Sequence, residues 1–334
     1  NDLQNESSIV GNFPTVLMMR DFGTEQQKVD WMPGFLDGTR RLAFGLTEPN
    51  HGSDATYMET TAVRDGDEWV INGEKWFASE AETAAFYIMM VVTDPEAESP
   101  YARASMFIID TDTPGIEIVQ NYGFYGEPED THAHLRLTDV RVPHAAMLGE
   151  PGQAFAIAQT RLGGGRMHHA MRTLAQATRA FDMTCERVLS RSTKGEVLAR
   201  KQMVQEKIAD SWVQLRQFRL LILETAWLAD QGNDWKAIRK NVSAVKSIMP
   251  DVLHDIASRA LHLHGSLGLS HEMPFAEWVI NSFHIGLADG PTEVHKMVVA
   301  REVLKDYKAD DAQFPSYIRH QQVQHARALY GTGA

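Results

Sequence analysis

The chain has 334 residues, of which 43% are hydrophobic and 23% charged, and its formal net charge is -12. These values are typical of a globular enzyme with more than one domain-sized core, and an acidic chain without a dense basic patch argues against nucleic-acid binding. The longest apolar run, Ala84 to Val92, is too short to span a bilayer, and the single cysteine, Cys185, excludes an intrachain disulfide, which fits a reducing compartment.

Residues 1–41 are predicted to form one or two helices. Asn12-Phe13-Pro14-Thr15 resembles a helix start, and Thr24-Glu25-Gln26-Gln27 resembles a second helix cap.

Residues 42–150 have the pattern of a β domain, in which short runs of β-branched and aromatic residues alternate with turn signals. The number of strands is about seven. Asp65-Gly66-Asp67 has the sequence of a hairpin turn between two of these runs. Phe86 to Thr93 and Ser105 to Asp110 are predicted to be buried strands.

Residues 151–307 change to a helical period, with apolar residues at steps of three and four along four long segments. Such stripes indicate a four-helix bundle, in which Pro250 is expected to kink the third helix. Residues 308–334 are rich in Gln, His and Arg, and they are predicted to be a surface tail that includes a short helix.

Two sequence blocks in the β domain carry the strongest signal of function. The first is Thr47 to Asp54, TEPNHGSD, and the second is Val70 to Ser79, VINGEKWFAS. Together and in this order they resemble the flavin-binding wall of the acyl-CoA dehydrogenase family. The resemblance implies an α+β fold with a partial N-terminal helical domain (1–41), a middle β domain (42–150), a C-terminal four-helix bundle (151–307) and a tail (308–334). That family has several more helices before the first block, so residues 1–41 are expected to be a remnant of the helical domain.

The resemblance also implies FAD as the cofactor and assigns two sets of residues to it. In the β domain these are Phe44, Leu46, Thr47, Gly52, Ser53, Phe77 and Ser79, which we call the predicted flavin wall. In the helical part they are Arg191, Gln202, His262, Gly265 and Ser266, which we call the distal set. The resemblance directs Arg191 and Gln202 to the FAD of a neighbouring subunit, and the turn with His262, Gly265 and Ser266 to the adenosine and pyrophosphate of FAD. Lys194 stands where the family has Phe. The histidines near His262 lack cysteine or carboxylate partners at metal-ligand spacing, so no metal site is predicted.

The segment Ala288-Asp289-Gly290-Pro291-Thr292-Glu293 is similar to the family segment that carries the catalytic base, which makes Asp289 the expected base. The Asp-Gly-Pro variant resembles a branch related to long multidomain vertebrate members. Arg166 falls on a family arginine near that carboxylate. From the residues alone, Asp289 or Thr292 could equally be the N-cap of a helix that starts at Glu293. Gly163-Gly164-Gly165 within a helical pattern suggests close approach of a ligand or another chain, whereas His168 and His169 are expected to be packing or interface residues.

The implied reaction is α,β-dehydrogenation of a fatty acyl-CoA, in which Asp289 removes the α-proton and hydride passes to flavin N5. Burial is expected to raise the pKa of Asp289, as suits a general base. The implied partners are an acyl-CoA substrate, an electron-transfer flavoprotein and further copies of the chain in a homodimer or homotetramer. The expected location is the bacterial cytoplasm, or the mitochondrion if a leader was removed. Three alternatives stay open at this point: a nitroalkane oxidase-like enzyme, an acyl-CoA oxidase-like enzyme, and a non-catalytic interaction protein.

Overall fold

The structure is a computed structural model in which residues 13–123, 132–232, 236–309 and 318–331 are described. Its helices are α1 (Phe13–Phe22), α2 (Glu25–Leu36), α3 (Ala154–Ser190), α4 (Gln202–Asp230), α5 (Arg239–His264), α6 (Ser266–Leu269), α7 (Phe275–Leu287), α8 (Thr292–Leu304) and α9 (Arg319–Tyr330). Its strands are β1 (Leu42–Gly45), β2 (Thr61–Asp65), β3 (Glu68–Ser79), β4 (Phe86–Val92), β5 (Ala104–Asp110), β6 (Ile116–Tyr122), β7 (His132–Pro143), β8 (Met147–Leu148), β9 (Ser192–Thr193) and β10 (Glu196–Val197).

Two short helices, α1 and α2, open the described part of the chain, and the predicted start residue Asn12 lies outside it. Thr24 caps α2 as predicted: its side chain accepts a hydrogen bond from the backbone N–H of Gln27, and the Gln27 side chain accepts one from the backbone N–H of Thr24. The same Gln27 amide donates to the carbonyl of Met147 at 2.9 Å. The cap therefore also attaches α2 to the edge of the β domain.

Strands β1 to β8 form one sheet in the order β6-β7-β3-β2-β4-β5-β8, with β1 parallel beside β4. This is one strand more than predicted. β2 and β3 form the predicted hairpin, with Gly66 at the turn at a φ of 65°. All seven residues of β4 are buried, because one face lies in the core of the β domain and the other packs against α1 and α2. Burial on both faces explains the unbroken apolar run in the sequence.

The helical part packs α3, α4, α5 and α7 around one apolar core, whose central residues include Ala177, Phe218, Met249 and Phe275. α5 is continuous through Pro250, and α7 was not among the four predicted stripes. The predicted tail contains α9, while residues 310–317 and 332–334 of that tail lie outside the described ranges. A sheet domain followed by a separate helical part confirms the predicted α+β class.

Helix α3 belongs to two cores. It has 37 residues, so it is about 56 Å long at 1.5 Å per residue. Ala154, Ile157 and Ala158 pack near its start against β5 and α1, whereas Ala170 and Ala177 pack further along in the bundle. The stretch between, around residues 161–169, passes the junction of the β domain and the bundle.

A buried ion pair fixes the first sequence block against the second. Lys75 on β3 donates to the carboxylate of Glu48 at 2.7 Å and to the carbonyl of Leu46 at 3.2 Å, and the two charged side chains are 0% and 3% exposed. Glu48 also accepts the backbone N–H of Thr60 at 3.0 Å. Burial lowers the pKa of Lys75 to about 8, although the charge of Glu48 acts in the opposite direction, so the pair remains ionised at neutral pH.

Replacing one member of this pair is expected to destabilise the protein strongly. Lys75→Met leaves the carboxylate of Glu48 buried without a cationic partner, a change that typically costs about 3–5 kcal/mol. Urea denaturation followed by tryptophan fluorescence measures the loss. The matched control is Arg141→Met, which removes a cation from the exposed pairs with Asp65 and Glu68 and is expected to leave the midpoint nearly unchanged. Equal midpoints for the two variants would contradict a central role for Lys75.

Candidate functional site

A β-bulge presents the aromatic part of the predicted flavin wall. β3 and β7 pair at Lys75 with Leu135 and at Ala78 with Ala133, so two residues of β3, Trp76 and Phe77, oppose one of β7. Phe77 has a φ of 53°, in the left-handed region that few bulky residues adopt, and 40% of the residue is exposed. Bulges of this kind turn a side chain out of the normal alternation.

The Phe77 ring lies in an aromatic surface rather than alone. Its centroid is 5.1 Å from that of Trp76 and 5.6 Å from that of Tyr122. Two further wall residues flank this surface. Ser79 is exposed two residues further along β3, and the carbonyl of Thr47 accepts the backbone N–H of Trp76 at 3.0 Å. The second sequence block therefore meets the first at the bulge.

The rest of the predicted flavin wall lies on β1 and the loop that follows it. Phe44 and Leu46 are half-buried, while Gly52 and Ser53 are exposed at the tip of the loop. No side chain would clash at Gly52, since a Cβ added there meets nothing within 4 Å. The loop thus offers open backbone and a hydroxyl to a ligand.

The turn that holds Asp289 lies between α7 and α8. Asp289 has a φ of 56° and Gly290 one of 102°. Two side chains hold the carbonyl oxygen of Asp289: Arg166 on α3 donates through Nε at 3.0 Å, and His295 on α8 approaches through Nε2 at 3.3 Å. His295 is itself bound through Nδ1 to the hydroxyl of Ser243 at 3.2 Å. A left-handed aspartate is costly unless its surroundings determine it, as these contacts do.

The reading of Asp289 or Thr292 as an N-cap is wrong for this turn. α8 begins at Thr292, its N-cap position is Pro291, and no side chain caps it. The Thr292 hydroxyl instead donates to the carbonyl of Gly286 at 3.2 Å. The carboxylate of Asp289 is therefore not used to satisfy the start of the helix.

The Asp289 carboxylate instead faces α3 and is 15% exposed. His169 Nε2 lies 3.3 Å from Oδ2, and Arg161 Nη1 lies 4.0 Å from Oδ1. A Cβ added at Gly165 would lie 3.0 Å from Oδ2. Arg161, Gly165 and His169 recur every four residues, so they lie on one side of α3. A close approach does occur at Gly165, but the group that approaches is a carboxylate of the same chain and not the ligand or second chain that the sequence suggested.

The pKa of Asp289 moves in the opposite direction to the one expected. Burial raises it, but the hydrogen bond and charge of His169 and the charges of Arg161 and Arg166 outweigh burial, so the pKa lies well below the ordinary value for aspartate. The prediction of a raised pKa was wrong because it counted desolvation and not these partners.

Two other buried groups near Asp289 are also perturbed. Burial lowers the pKa of Lys246 to about 8, with Asp289 acting in the opposite direction, and the ammonium donates to the carbonyl of Ile285 at 2.5 Å. Burial and the charge of Arg166 lower the pKa of His295 to about 4. His295 is therefore neutral at physiological pH, which suits its contact between Ser243 and the Asp289 carbonyl.

Arg161 connects this cluster to the predicted flavin wall. Its guanidinium carbon lies 4.6 Å from the centroid of the Phe44 ring while its Nη1 faces Asp289. Such stacking contributes roughly 0.5–2 kcal/mol. The structure thus brings together three residues that the sequence singled out, namely Phe44, Arg166 and Asp289.

The distal set lies elsewhere on the chain. Arg191 follows the end of α3, and Gln202 begins α4. His262 lies in the last turn of α5, Gly265 follows that helix, and Ser266 begins α6. All five residues are exposed. Arg191 is 25 residues beyond Arg166, which is about 37 Å along the helix. Lys194 has a φ of 50° at the β9–β10 turn. A cavity of about 320 Å³ adjoins His262.

Sequence reasoning missed Arg161, Lys246 and His295, and it assigned His169 to packing. Arg161, Gly165 and His169 are spaced four residues apart, and this spacing could have shown that Arg161 and His169 lie on one side of the same helix. Nothing in the spacing of Lys246 and His295 links them to Asp289, because they lie on different helices. Within the described ranges, no group of three or more His, Cys, Asp or Glu side chains could hold a metal ion, and no helix is both long and apolar enough to cross a membrane.

Comparisons with known proteins agree with this architecture. A family model described as acyl-CoA dehydrogenase, middle domain, matches residues 43–140, and one described as acyl-CoA dehydrogenase, C-terminal domain, matches residues 152–304.

Among individual proteins, the probable acyl-CoA dehydrogenase FadE2 of Mycobacterium tuberculosis is 41% identical over 295 residues, which cover 86% of this chain and 71% of that protein. Acyl-CoA dehydrogenase family member 11 of Gallus gallus is 36% identical over 85% of this chain, which spans only 37% of that protein. The solved butyryl-CoA dehydrogenase of Megasphaera elsdenii is 30% identical, with a TM-score of 0.79 over 86% of this chain and 74% of its own. The chain therefore belongs to the acyl-CoA dehydrogenase family, whose FAD-dependent members are oxidoreductases acting on CH–CH groups.

Proposed function

We propose that the chain dehydrogenates a fatty acyl-CoA thioester to the trans-2-enoyl-CoA, with Asp289 as the base that removes the α-proton. The observation that carries this proposal is the buried Asp289 carboxylate, held in a left-handed turn and linked through Arg161 to Phe44 of the predicted flavin wall. A base needs such a fixed position beside the cofactor.

The described residues fit FAD at this wall. An aromatic ring that is 40% exposed on a strained bulge, next to an open turn at Gly52 and Ser53, offers a face for the flavin ring and donors for its pyrophosphate. Thr47, Phe44, Leu46 and Ser79 would complete the ring contacts. When bound, the flavin supplies the acceptor for the hydride from the β-carbon.

The chain's own groups would do the remaining work. Asp289 is ionised at physiological pH because of its cationic neighbours, and it takes up the α-proton as the substrate loses it. Arg166 and His295 hold the Asp289 carbonyl, and the left-handed φ of 56° at Asp289 sets the direction of the backbone N–H of this residue relative to that carbonyl. That N–H would donate to the thioester carbonyl, where negative charge develops.

A second copy of the chain would complete the cofactor site. The distal set starts about 37 Å along α3 from Arg166, so a neighbouring subunit is the direct way to bring it to the FAD. α4 also carries large exposed apolar side chains, as expected of a surface that another subunit covers; they are Trp212, Leu220, Leu223 and Trp227. We propose a homodimer or homotetramer, an electron-transfer flavoprotein as electron acceptor, and the bacterial cytoplasm as the location, with the mitochondrion as the alternative.

Anaerobic flavin bleaching tests this function. Purified, FAD-loaded protein is mixed with a panel of acyl-CoA thioesters, and we expect the flavin band to bleach with one chain class. Asp289→Asn keeps the volume of the side chain but cannot accept the α-proton, so flavin should stay bound while reduction slows by at least about 10³-fold. Reduction at the wild-type rate in that variant would show that Asp289 is not the base.

The alternatives give different results in the same experiment. A nitroalkane oxidase-like enzyme would hold flavin, would not be bleached by any thioester, and would consume oxygen with a nitroalkane. An acyl-CoA oxidase-like enzyme would be bleached by a thioester and then reoxidised rapidly by air. A chain that binds no flavin after reconstitution would be an interaction protein.

A pair of glycine variants tests whether Asp289 must approach α3. Gly165→Ala puts a Cβ 3.0 Å from Oδ2 of Asp289 and should displace the carboxylate, so we expect flavin reduction to slow by about 10²-fold. Gly164→Ala is the control, because its Cβ meets nothing closer than Leu17 at 3.9 Å. Alanine should stabilise the helix there by up to about 1 kcal/mol without changing the rate. Stopped-flow absorbance measures both rates. Equal rates in the two variants would show that the approach of Asp289 to α3 has no effect on flavin reduction.

A further inference from the structure

The Asp289 carboxylate has two unlike oxygens. Oδ2 lies 3.3 Å from His169 Nε2 and against Gly165, where even a methyl group would come within 3.0 Å. Oδ1 faces Arg161 at 4.0 Å, beyond hydrogen-bond distance. Oδ2 is thus in contact with His169 and covered by α3. Oδ1 has the charged Arg161 near it but makes no hydrogen bond to that residue.

The surroundings of His169 determine which of its nitrogens carries the proton. Nδ1 is buried and has no hydrogen-bond partner among the described residues. A buried N–H without an acceptor is costly, whereas a bare ring nitrogen is tolerated more easily. The neutral ring therefore favours its proton on Nε2, the atom that points at Asp289.

Cationic and titratable groups from three helices surround the pair. Arg161, Arg166, His168 and Arg172 lie on α3, Lys246 on α5 and His295 on α8, and each of them interacts electrostatically with Asp289 or with a neighbour of it. Of the two groups nearest the carboxylate oxygens, His169 at 3.3 Å from Oδ2 is closer than Arg161 at 4.0 Å from Oδ1.

We propose that His169 is a positioning residue for the base: it donates from Nε2 to Oδ2 of Asp289, holds the carboxylate in one orientation and leaves Oδ1 as the atom that accepts the substrate's α-proton. This inference rests on the proposed dehydrogenation. In that step the α-carbon–hydrogen bond breaks and its proton bonds to Oδ1, while the electron pair of that bond becomes the second bond between the α- and β-carbons. The β-hydrogen would leave as hydride with the electron pair of its own bond, and a bound flavin would accept it. The hydrogen bond between His169 and Oδ2 is kept throughout.

The first test needs no turnover. In FAD-loaded protein labelled with ¹⁵N-histidine, the His169 signals are assigned by their loss in His169→Gln. We expect Nε2 to be protonated and Nδ1 to be bare at pH 8. A proton on Nδ1 would leave Nε2 unable to donate and would overturn the proposal, whatever the substrate is.

The second test removes the donor. His169→Leu should move the ¹³C-carboxyl titration of Asp289 upward by about one pH unit or more, because the bond that favours the ionised form is lost. His169→Gln retains an N–H and should restore most of the wild-type behaviour. His168→Leu makes the same change one residue earlier, where the imidazole interacts with Asp289 only through its charge, and should shift the titration much less than His169→Leu does. If Asp289 titrates at the same pH in His169→Leu as in the wild type, the proposal is overturned.

The loss of the His169 hydrogen bond should also be visible in the rate of flavin reduction. In His169→Leu, flavin reduction should slow by about tenfold at both pH 6 and pH 8, because Asp289 stays ionised over this range and only its orientation is lost, with a smaller loss in His169→Gln. If no thioester bleaches the wild-type flavin, the proposed function fails, and the two NMR measurements still decide whether His169 donates to Asp289.

Discussion

The arrangement of this site depends on the carbonyl oxygen of Asp289. Arg166 and His295 both bind that oxygen, one from α3 and the other from α8, and the turn between them has a left-handed backbone at Asp289 and Gly290. Because Arg166 is half-buried and its guanidinium is partly desolvated, it needs a hydrogen-bond acceptor, and this carbonyl supplies one. Binding the main chain rather than the side chain leaves the carboxylate available for chemistry while its position is still fixed.

Charge, rather than burial, decides the state of that carboxylate. Desolvation alone would favour the protonated form, yet His169, Arg161 and Arg166 together favour the anion more strongly. The consequence is a carboxylate that is ionised at every physiological pH, and as the proposed base it is intrinsically weaker than a base with a raised pKa. Efficiency would then have to come from position and from exclusion of water, which agrees with a carboxylate held closely against Gly165.

The sequence predicted the structure correctly where interactions between residues close along the chain determine it. Thr24 with Gln27, the Asp65–Gly66 hairpin and the unbroken apolar run of β4 all follow from short-range rules, and they are present as predicted. The two blocks around Thr47 and Phe77, taken together and in this order, identified the family that the family models match. The partners of Asp289 could not be found in this way: Lys246 and His295 reach it only through the packing of α5 and α8 against α3. The same long-range contacts explain why the direction of the Asp289 pKa was predicted wrongly.

Helix α3 fixes the position of the proposed base Asp289 relative to the predicted flavin wall. Its first turns are part of the core under β4 and β5, and its later turns are part of the bundle core, so a single rigid element passes from one to the other. Arg161 lies between these parts, stacked on Phe44 of β1 and facing Asp289. On the β side, the buried Glu48–Lys75 pair holds the loop after β1 against β3. The distance between a flavin at the Phe77 bulge and the proposed base Asp289 would therefore be set by a packed helix and a buried ion pair rather than by flexible loops, as a precise site requires.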